Sequence, residues 1–332
     1  MLRIGVDGTD REIDRAEYGD APAGEKQLII GHEAIGRVVE TGSRVDGIRR
    51  GDVVVGTVRR PCPEVCLNCG KGEYDFCLTG NYKERGIKQL HGYMAELYAE
   101  RPLFLIPIPK DLQDVAVLLE PLSVVEKAHR QIRKIQERMS WRPKRALITG
   151  TGSIGLLAAV IARLQGLDVL LYSRGPARGA EGEIIEQLGA GYVDSTRRTL
   201  AEAAGEFGAP DLAIEATGHS PFAWEVAGVL HLNGVVCLLS VTGGDRKTEI
   251  PADQLNKLLV LGNRLVFGSV NSHRRDFEQG LTDLRASQAR WPGVMARFIT
   301  RRLPLEQFRE ALDDREGDIK TVLEIPQTRP NP

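Results

Sequence analysis

Hydrophobic positions change their period along the chain. Over residues 1–123 the apolar runs are short, as at 34–39 and 52–58, and Gly and Pro separate them. That punctuation predicts an irregular, strand-rich domain. From 124 to 139 the period turns helical. Val124, Val125, Ala128, Ile132, Ile135 and Met139 recur at three- and four-residue spacing and mark one face of a helix. Residues 145–268 then alternate. Apolar β-like runs at 145–149, 168–172, 211–216, 234–240 and 264–268 are separated by helix-like segments, among them 154–164 and 181–188. Short buried strands alternating with helices predict an α/β domain: a doubly wound parallel sheet covered on both faces. The tail adds an amphipathic helix near 275–290 and a strand-like run at 321–325. Two domains, joined by helices and sharing a cleft, are expected.

Composition narrows the function classes. The 332 residues suit two domains at about 150 residues each. With 44 basic against 45 acidic side chains the net charge is −1, so a polyanion-binding surface, and with it a nucleic-acid partner, is not expected. No apolar run approaches the length of a membrane span, and no membrane partner is expected. Asp7, Asp10, Arg11 and Glu12 precede any apolar stretch, so no secretory leader is read and the cytoplasm is the expected compartment.

The run 149–155, Thr-Gly-Thr-Gly-Ser-Ile-Gly, follows one β-like segment and opens a helix-like one. In that context it predicts a pyrophosphate cradle formed by Gly150, Thr151, Gly152, Ser153, Ile154 and Gly155. Gly150 permits the tight turn, Gly152 lets backbone approach the pyrophosphate, and Gly155 allows close helix–strand packing. The helix N-terminus presents free N–H groups to the phosphates. At the end of the next strand, where an acidic residue would hold a ribose 2′-hydroxyl, the chain has Ser173 and Arg174. These suit a 2′-phosphate, so NADP is favoured over NAD; a solvated surface charge is the alternative for Arg174.

Of five cysteines, Cys62, Cys66, Cys69 and Cys77 follow the spacing C-x3-C-x2-C-x7-C. Four thiolates on one loop close a tetrahedral structural Zn²⁺ site, whereas two disulfides would require an oxidising compartment. Cys237 lies in a β-like run and reads as an inert core residue.

Further motifs are weak singly: Asp7-Gly8-Thr9-Asp10, Gly31-His32-Glu33 and Leu119-Glu120-Pro121. Together with the cysteine loop, the segments GTDREI (8–13), GHEAIGRVVETG (31–42), DFCLTGNYKERGIK (75–88), HGYMAE (91–96), LLEPLSVVEKA (118–128), TGTGSIG (149–155) and FGSVN (267–271) resemble the zinc-dependent medium-chain dehydrogenases, specifically their glucose dehydrogenase branch. The resemblance covers nearly the whole chain.

It implies a GroES-like catalytic domain at 1–123 lacking its first strands, a Rossmann NAD(P)-binding domain at 124–271, and a segment at 272–332 that completes the catalytic domain. Roughly thirty further residues ahead of GTDREI are expected from relatives. A catalytic zinc falls on Asp7, His32, Glu33 and Glu120, beside the structural zinc of the cysteine lobe, and Thr9 on the hydroxyl that relays the substrate proton. Aspartate stands at position 7 where the wider family has cysteine. A carboxylate is harder and less zinc-selective than a thiolate, so weaker zinc retention is expected, with Glu33 acting through water as an alternative. Glu84, Glu120 and Asn271 would orient the sugar; a surface charge is the alternative for Glu84, and Asn271 fits a cofactor contact equally well. Thr217, Leu239, Ser240, Val241 and Ser269 would line the cofactor, as would Lys320, for which a surface lysine is the alternative. The remaining histidines read as structural or exposed. The implied activity is NADP-preferring oxidation of the anomeric hydroxyl of an aldose, D-glucose foremost. A polyol or secondary-alcohol dehydrogenase and a non-catalytic NADP-binding protein are the alternatives. A homodimer or homotetramer is expected.

Overall fold

A computed structural model describes residues 1–242 and 245–326, and the chain divides into two compact units. The first contains residues 1–123, 271–285 and the segment from Met295 on; the second contains 124–270 and 286–294. The chain passes from one to the other within the helix Leu119–Gln136, which carries Pro121 in its first turn, where no N–H is needed. The limits of these units differ from the expected domain boundaries at two places. Asn271 belongs to the first unit, and residues 286–294 return to the second. There Trp291 and Val294 are buried, Gln187 donates to the Pro292 carbonyl, and Arg290 donates to the Arg163 carbonyl. Positions 327–332 of the expected tail lie outside the described residues.

In the second unit six parallel strands lie in the order Gly191–Asp194, Asp168–Ser173, Arg145–Thr149, Leu212–Glu215, Val235–Leu238, Leu265–Gly268. This order reverses direction between Arg145–Thr149 and Leu212–Glu215, the place where a doubly wound sheet binds its ligand. Leu147, Leu170, Ala213 and Val236 pack in the core beside the sheet. The helix Ser153–Leu164 is buried continuously over 155–162, so it is apolar all round and not amphipathic.

In the first unit a mixed sheet runs Ile299–Pro304, Lys320–Glu324, Arg3–Val6, Glu33–Arg37, Val53–Gly56, Leu105–Pro107. The strand Arg3–Val6 pairs antiparallel with both neighbours, which sets Gly5 opposite Glu33 on one side and Val322 on the other. A small second sheet joins Arg59–Arg60, Lys83–Arg85 and Gln89–Leu90, with Arg59 directly opposite Glu84. Among the described residues no helix is long and apolar enough to cross a membrane.

Candidate active site

Asp7 ends the strand Arg3–Val6 and caps the helix Gly8–Asp14. Its Oδ1 accepts from the backbone N–H of Thr9 at 2.8 Å and of Asp10 at 3.3 Å. Its Oδ2 faces His32 Nε2 at 3.5 Å. One oxygen therefore holds the turn while the other points into the site, a double duty that a thiolate at this position would perform poorly. Asp7, His32 and Glu33 offer ligand atoms that all lie within 4.8 Å of one another. On the far side of the imidazole, Asp10 Oδ1 lies 3.7 Å from His32 Nδ1, and that buried nitrogen has no hydrogen bond. Burial disfavours the imidazolium, yet the Asp7 and Asp10 carboxylates outweigh it and raise the His32 pKa well above its ordinary value. Burial also opposes the Asp7 carboxylate, but His32 beside it holds it below the usual range. A divalent cation would satisfy the same carboxylates in place of that proton, so the donor set fits zinc.

Glu33 and Lys320 form a pair. The resemblance places Lys320 at the cofactor. It lies on a sheet strand, 1% exposed, with Nζ 2.6 and 2.7 Å from the two Glu33 oxygens, so it is not a surface lysine. Gly5, on the strand between them, leaves the room for this pair: a Cβ there would lie 2.0 Å from Glu33 Oε2. Burial lowers the Lys320 pKa, but the Glu33, Asp7 and Glu120 carboxylates raise it further. Lys320 thus offsets part of the negative charge of the neighbouring carboxylates, and the Glu33 carboxylate is held by a cation. Glu120 is buried in the first turn of Leu119–Gln136 and lies outside the three-residue ligand cluster. Burial, aided by the Glu33 and Asp7 carboxylates, pushes it up to about 8. Thr9 sits half-buried in the same turn as Asp7, and its hydroxyl has no hydrogen bond among the described residues.

Glu84 and Asn271, both expected at the sugar, are brought together: Asn271 Nδ2 donates to Glu84 Oε1 at 2.9 Å. Arg59 donates to the same oxygen from Nε at 3.0 Å and forms an ion pair with it through Nη2 at 2.9 Å, a partner that the sequence reading missed. Glu84 is buried and is not a surface charge.

The glycine turn follows Arg145–Thr149 and opens the helix Ser153–Leu164. Gly150 has φ +88°, and a Cβ on Gly155 would lie 2.0 Å from the Gly150 carbonyl oxygen. A Cβ on Gly152 would meet no atom within 4 Å, so this glycine is not required by packing. No side chain caps the helix, which leaves its first N–H groups to a ligand. Thr151 donates to Ser173 across the strand ends at 3.0 Å, and Arg174 is exposed with no ion pair among the described residues. Glu215, whose role was not foreseen, organises the next loops. It accepts from the Thr217 N–H at 2.7 Å, from the Thr217 hydroxyl, and from Ser240 Oγ at 2.5 Å. Leu239 is half-buried, Val241 is exposed, and Ser269 Oγ is buried without a partner. An open cradle, uncapped N–H groups and an orphaned hydroxyl together fit a dinucleotide.

The four lobe cysteines are free, and their sulfurs lie within 4.8 Å of one another. Burial pushes Cys69 up to about 12, whereas the hydroxyl and backbone N–H groups around Thr79 outweigh burial and lower Cys77 to about 6. The geometry fits a closed zinc site.

Residues 1–110 match the alcohol dehydrogenase GroES-like domain, and residues 113–325 match the glucose dehydrogenase C-terminus. The glucose 1-dehydrogenase of Methanocella arvoryzae is 46% identical over 325 residues, 98% of this chain and 90% of that protein. That of Thermoproteus tenax is 41% identical over 325 residues, with the same coverage of 98% and 90%. Among solved structures, Haloferax mediterranei glucose dehydrogenase in complex with NADP, Zn and gluconolactone superposes with a TM-score of 0.91 at 33% identity, covering 98% of this chain and 91% of that one.

Proposed function

The chain belongs to the glucose dehydrogenase family, and we propose on that footing that it oxidises the anomeric hydroxyl of an aldose, D-glucose to its 1,5-lactone, with NADP⁺ as hydride acceptor. The observation that carries this reading is the enclosed cluster of Asp7, His32 and Glu33 with the Thr9 hydroxyl beside it. Asp7 and His32 hold the catalytic zinc, with Glu120 closing the set from the neighbouring helix turn and Glu33 tethered by Lys320. Bound there, zinc supplies Lewis-acid polarisation of the sugar hydroxyl. Thr9 takes the hydroxyl proton and passes it toward solvent. Glu84 and Asn271 orient the remaining hydroxyls. The second unit holds the dinucleotide: the turn at 150–155 takes the pyrophosphate, Ser173 and Arg174 the 2′-phosphate, and Thr217, Leu239, Ser240, Val241 and Ser269 line the rest. The cysteine lobe would hold a second, structural zinc, and its lack of disulfides suits the reducing cytoplasm. The assembly proposed is a homodimer or homotetramer.

Metal analysis of the purified chain tests the reading. Two zinc ions per chain, one lost together with turnover in Glu120→Ala, are expected. A single ion per chain, retained in that variant with activity unchanged, would remove the catalytic metal from the account.

A further inference from the structure

We propose that Arg59 is a positioning residue that fixes which sugar hydroxyl Glu84 reads, an inference that rests on the aldose reading above. Arg59 lies on the short strand Arg59–Arg60, directly opposite Glu84 in an antiparallel pair. Its Nε donates to Glu84 Oε1 at 3.0 Å while Nη2 makes an ion-pair contact with the same oxygen at 2.9 Å, and Asn271 Nδ2 adds a second hydrogen bond to it at 2.9 Å. The guanidinium is itself held: Nη1 donates to the Asp75 carbonyl at 3.3 Å, and its carbon sits 3.7 Å from the centre of the Tyr82 ring. Both side chains of the pair are 4% exposed.

Two hydrogen bonds and the close guanidinium charge occupy Oε1, whereas Oε2 accepts from no described residue. A carboxylate held in this way cannot rotate to exchange its oxygens. It offers one acceptor at one place, and the adjacent cation keeps the buried group an acceptor only. Glu84 therefore recognises a single donating hydroxyl of the sugar. A free glutamate would accept from any hydroxyl within reach, so without its clamp the site would blur neighbouring positions on the ring. The guanidinium of Arg59 is essential to this, because a lysine supplies the charge without a rigid, planar donor held over the Tyr82 ring.

The test uses the holoenzyme with zinc and NADP⁺, D-glucose, and the set of monodeoxy-D-glucoses, one for each hydroxyl other than the anomeric one. The wild-type chain should discriminate against one analogue in kcat/KM, about tenfold or more beyond the others, because a polar group built for a hydroxyl is left unpaired without it. Arg59→Lys should erode that one ratio by about fivefold, mainly through KM, and leave the ratios for the other analogues in place. Arg59→Met should erase it. Zinc content, melting temperature and NADPH affinity, measured on each variant, register a merely structural loss. Unchanged discrimination in both variants would overturn the proposal, as would an equal loss for every sugar accompanied by lost zinc or a lowered melting temperature in Arg59→Lys. If the wild-type chain oxidises no aldose, calorimetric binding of the same sugars to the zinc–NADPH complex makes the same comparison. The Arg59-dependent pattern in binding alone sustains this proposal while the oxidation reading falls, and no sugar binding at all overturns both.

Discussion

Two glycines three positions apart separate what the fold needs from what the ligand needs. At Gly155 a methyl group would stand 2.0 Å from the Gly150 carbonyl oxygen and 2.9 Å from its carbon. Both are backbone atoms, so no side chain can rotate away. Overpacking of this kind costs about 3 kcal/mol, and the better helix propensity of alanine returns about 1, leaving a net loss of about 2 kcal/mol. At about 2–4 °C per kcal/mol for a unit of this size, Gly155→Ala should melt roughly 4–8 °C lower. A methyl group on Gly152 would meet no atom within 4 Å beyond its chain neighbours, and φ is −66° with an extended ψ that alanine adopts freely. Losing glycine at a helix cap costs about 0.5 kcal/mol, so Gly152→Ala should melt within about 2 °C of wild type. Its methyl group would nevertheless occupy the approach of the pyrophosphate, and NADPH affinity should fall about tenfold or more. Thermal unfolding and titration of NADPH fluorescence read the two effects apart. The reasoning fails if Gly152→Ala binds NADPH like wild type, or if it unfolds as early as Gly155→Ala.

Three further outcomes are expected. Burial lowers His129 to about 4 from an ordinary 6.5, so between those values the unfolded chain binds the extra proton. This group's stabilisation is complete above pH 6.5 and shrinks by about 3 kcal/mol as the pH falls to 4; urea unfolding at several pH values should show that slope, and His129→Gln should remove it. In the metal-free site Glu120 stands at about 8 and His32 well above its ordinary value, so both carry protons at neutral pH. Zinc uptake there should release about one to two protons and tighten as the pH rises; calorimetry in buffers of different protonation enthalpy measures this, and heats independent of buffer would contradict it. Arg174→Asp should lower kcat/KM for NADP⁺ relative to NAD⁺ by about tenfold or more, because it places a carboxylate beside the 2′-phosphate; an unchanged preference would put the phosphate elsewhere.

What could be read in the sequence was local, and what could not was carried by pairing. The strand 145–149, the glycine turn and the helix after it each declare themselves within a few residues. The cysteine lobe does so by spacing alone. The pairing of Lys320 with Glu33 could not be read because the two are 287 residues apart and meet only across the central strand Arg3–Val6. Arg59 escaped notice for a similar reason, since a two-residue strand has no periodicity and its register with Glu84 is set by the sheet. Glu215 ends a buried strand, and nothing in the sequence reveals that Thr217 and Ser240 return to it. The polar edge strand Gly191–Asp194 lacks the apolar run that marked its neighbours. The dual role of Asp7, turned to His32 on one oxygen and helix cap on the other, becomes visible only once the helix Gly8–Asp14 is seen to begin beside it.

The most direct test supplies zinc to the purified chain and follows nicotinamide reduction, with NADP⁺ or NAD⁺, across a panel of aldoses and simple alcohols. The account predicts reduction with D-glucose, faster with NADP⁺, and loss of that reduction when the catalytic metal is chelated. A chain that holds two zinc ions and binds NADPH yet reduces NADP⁺ with no aldose would contradict it.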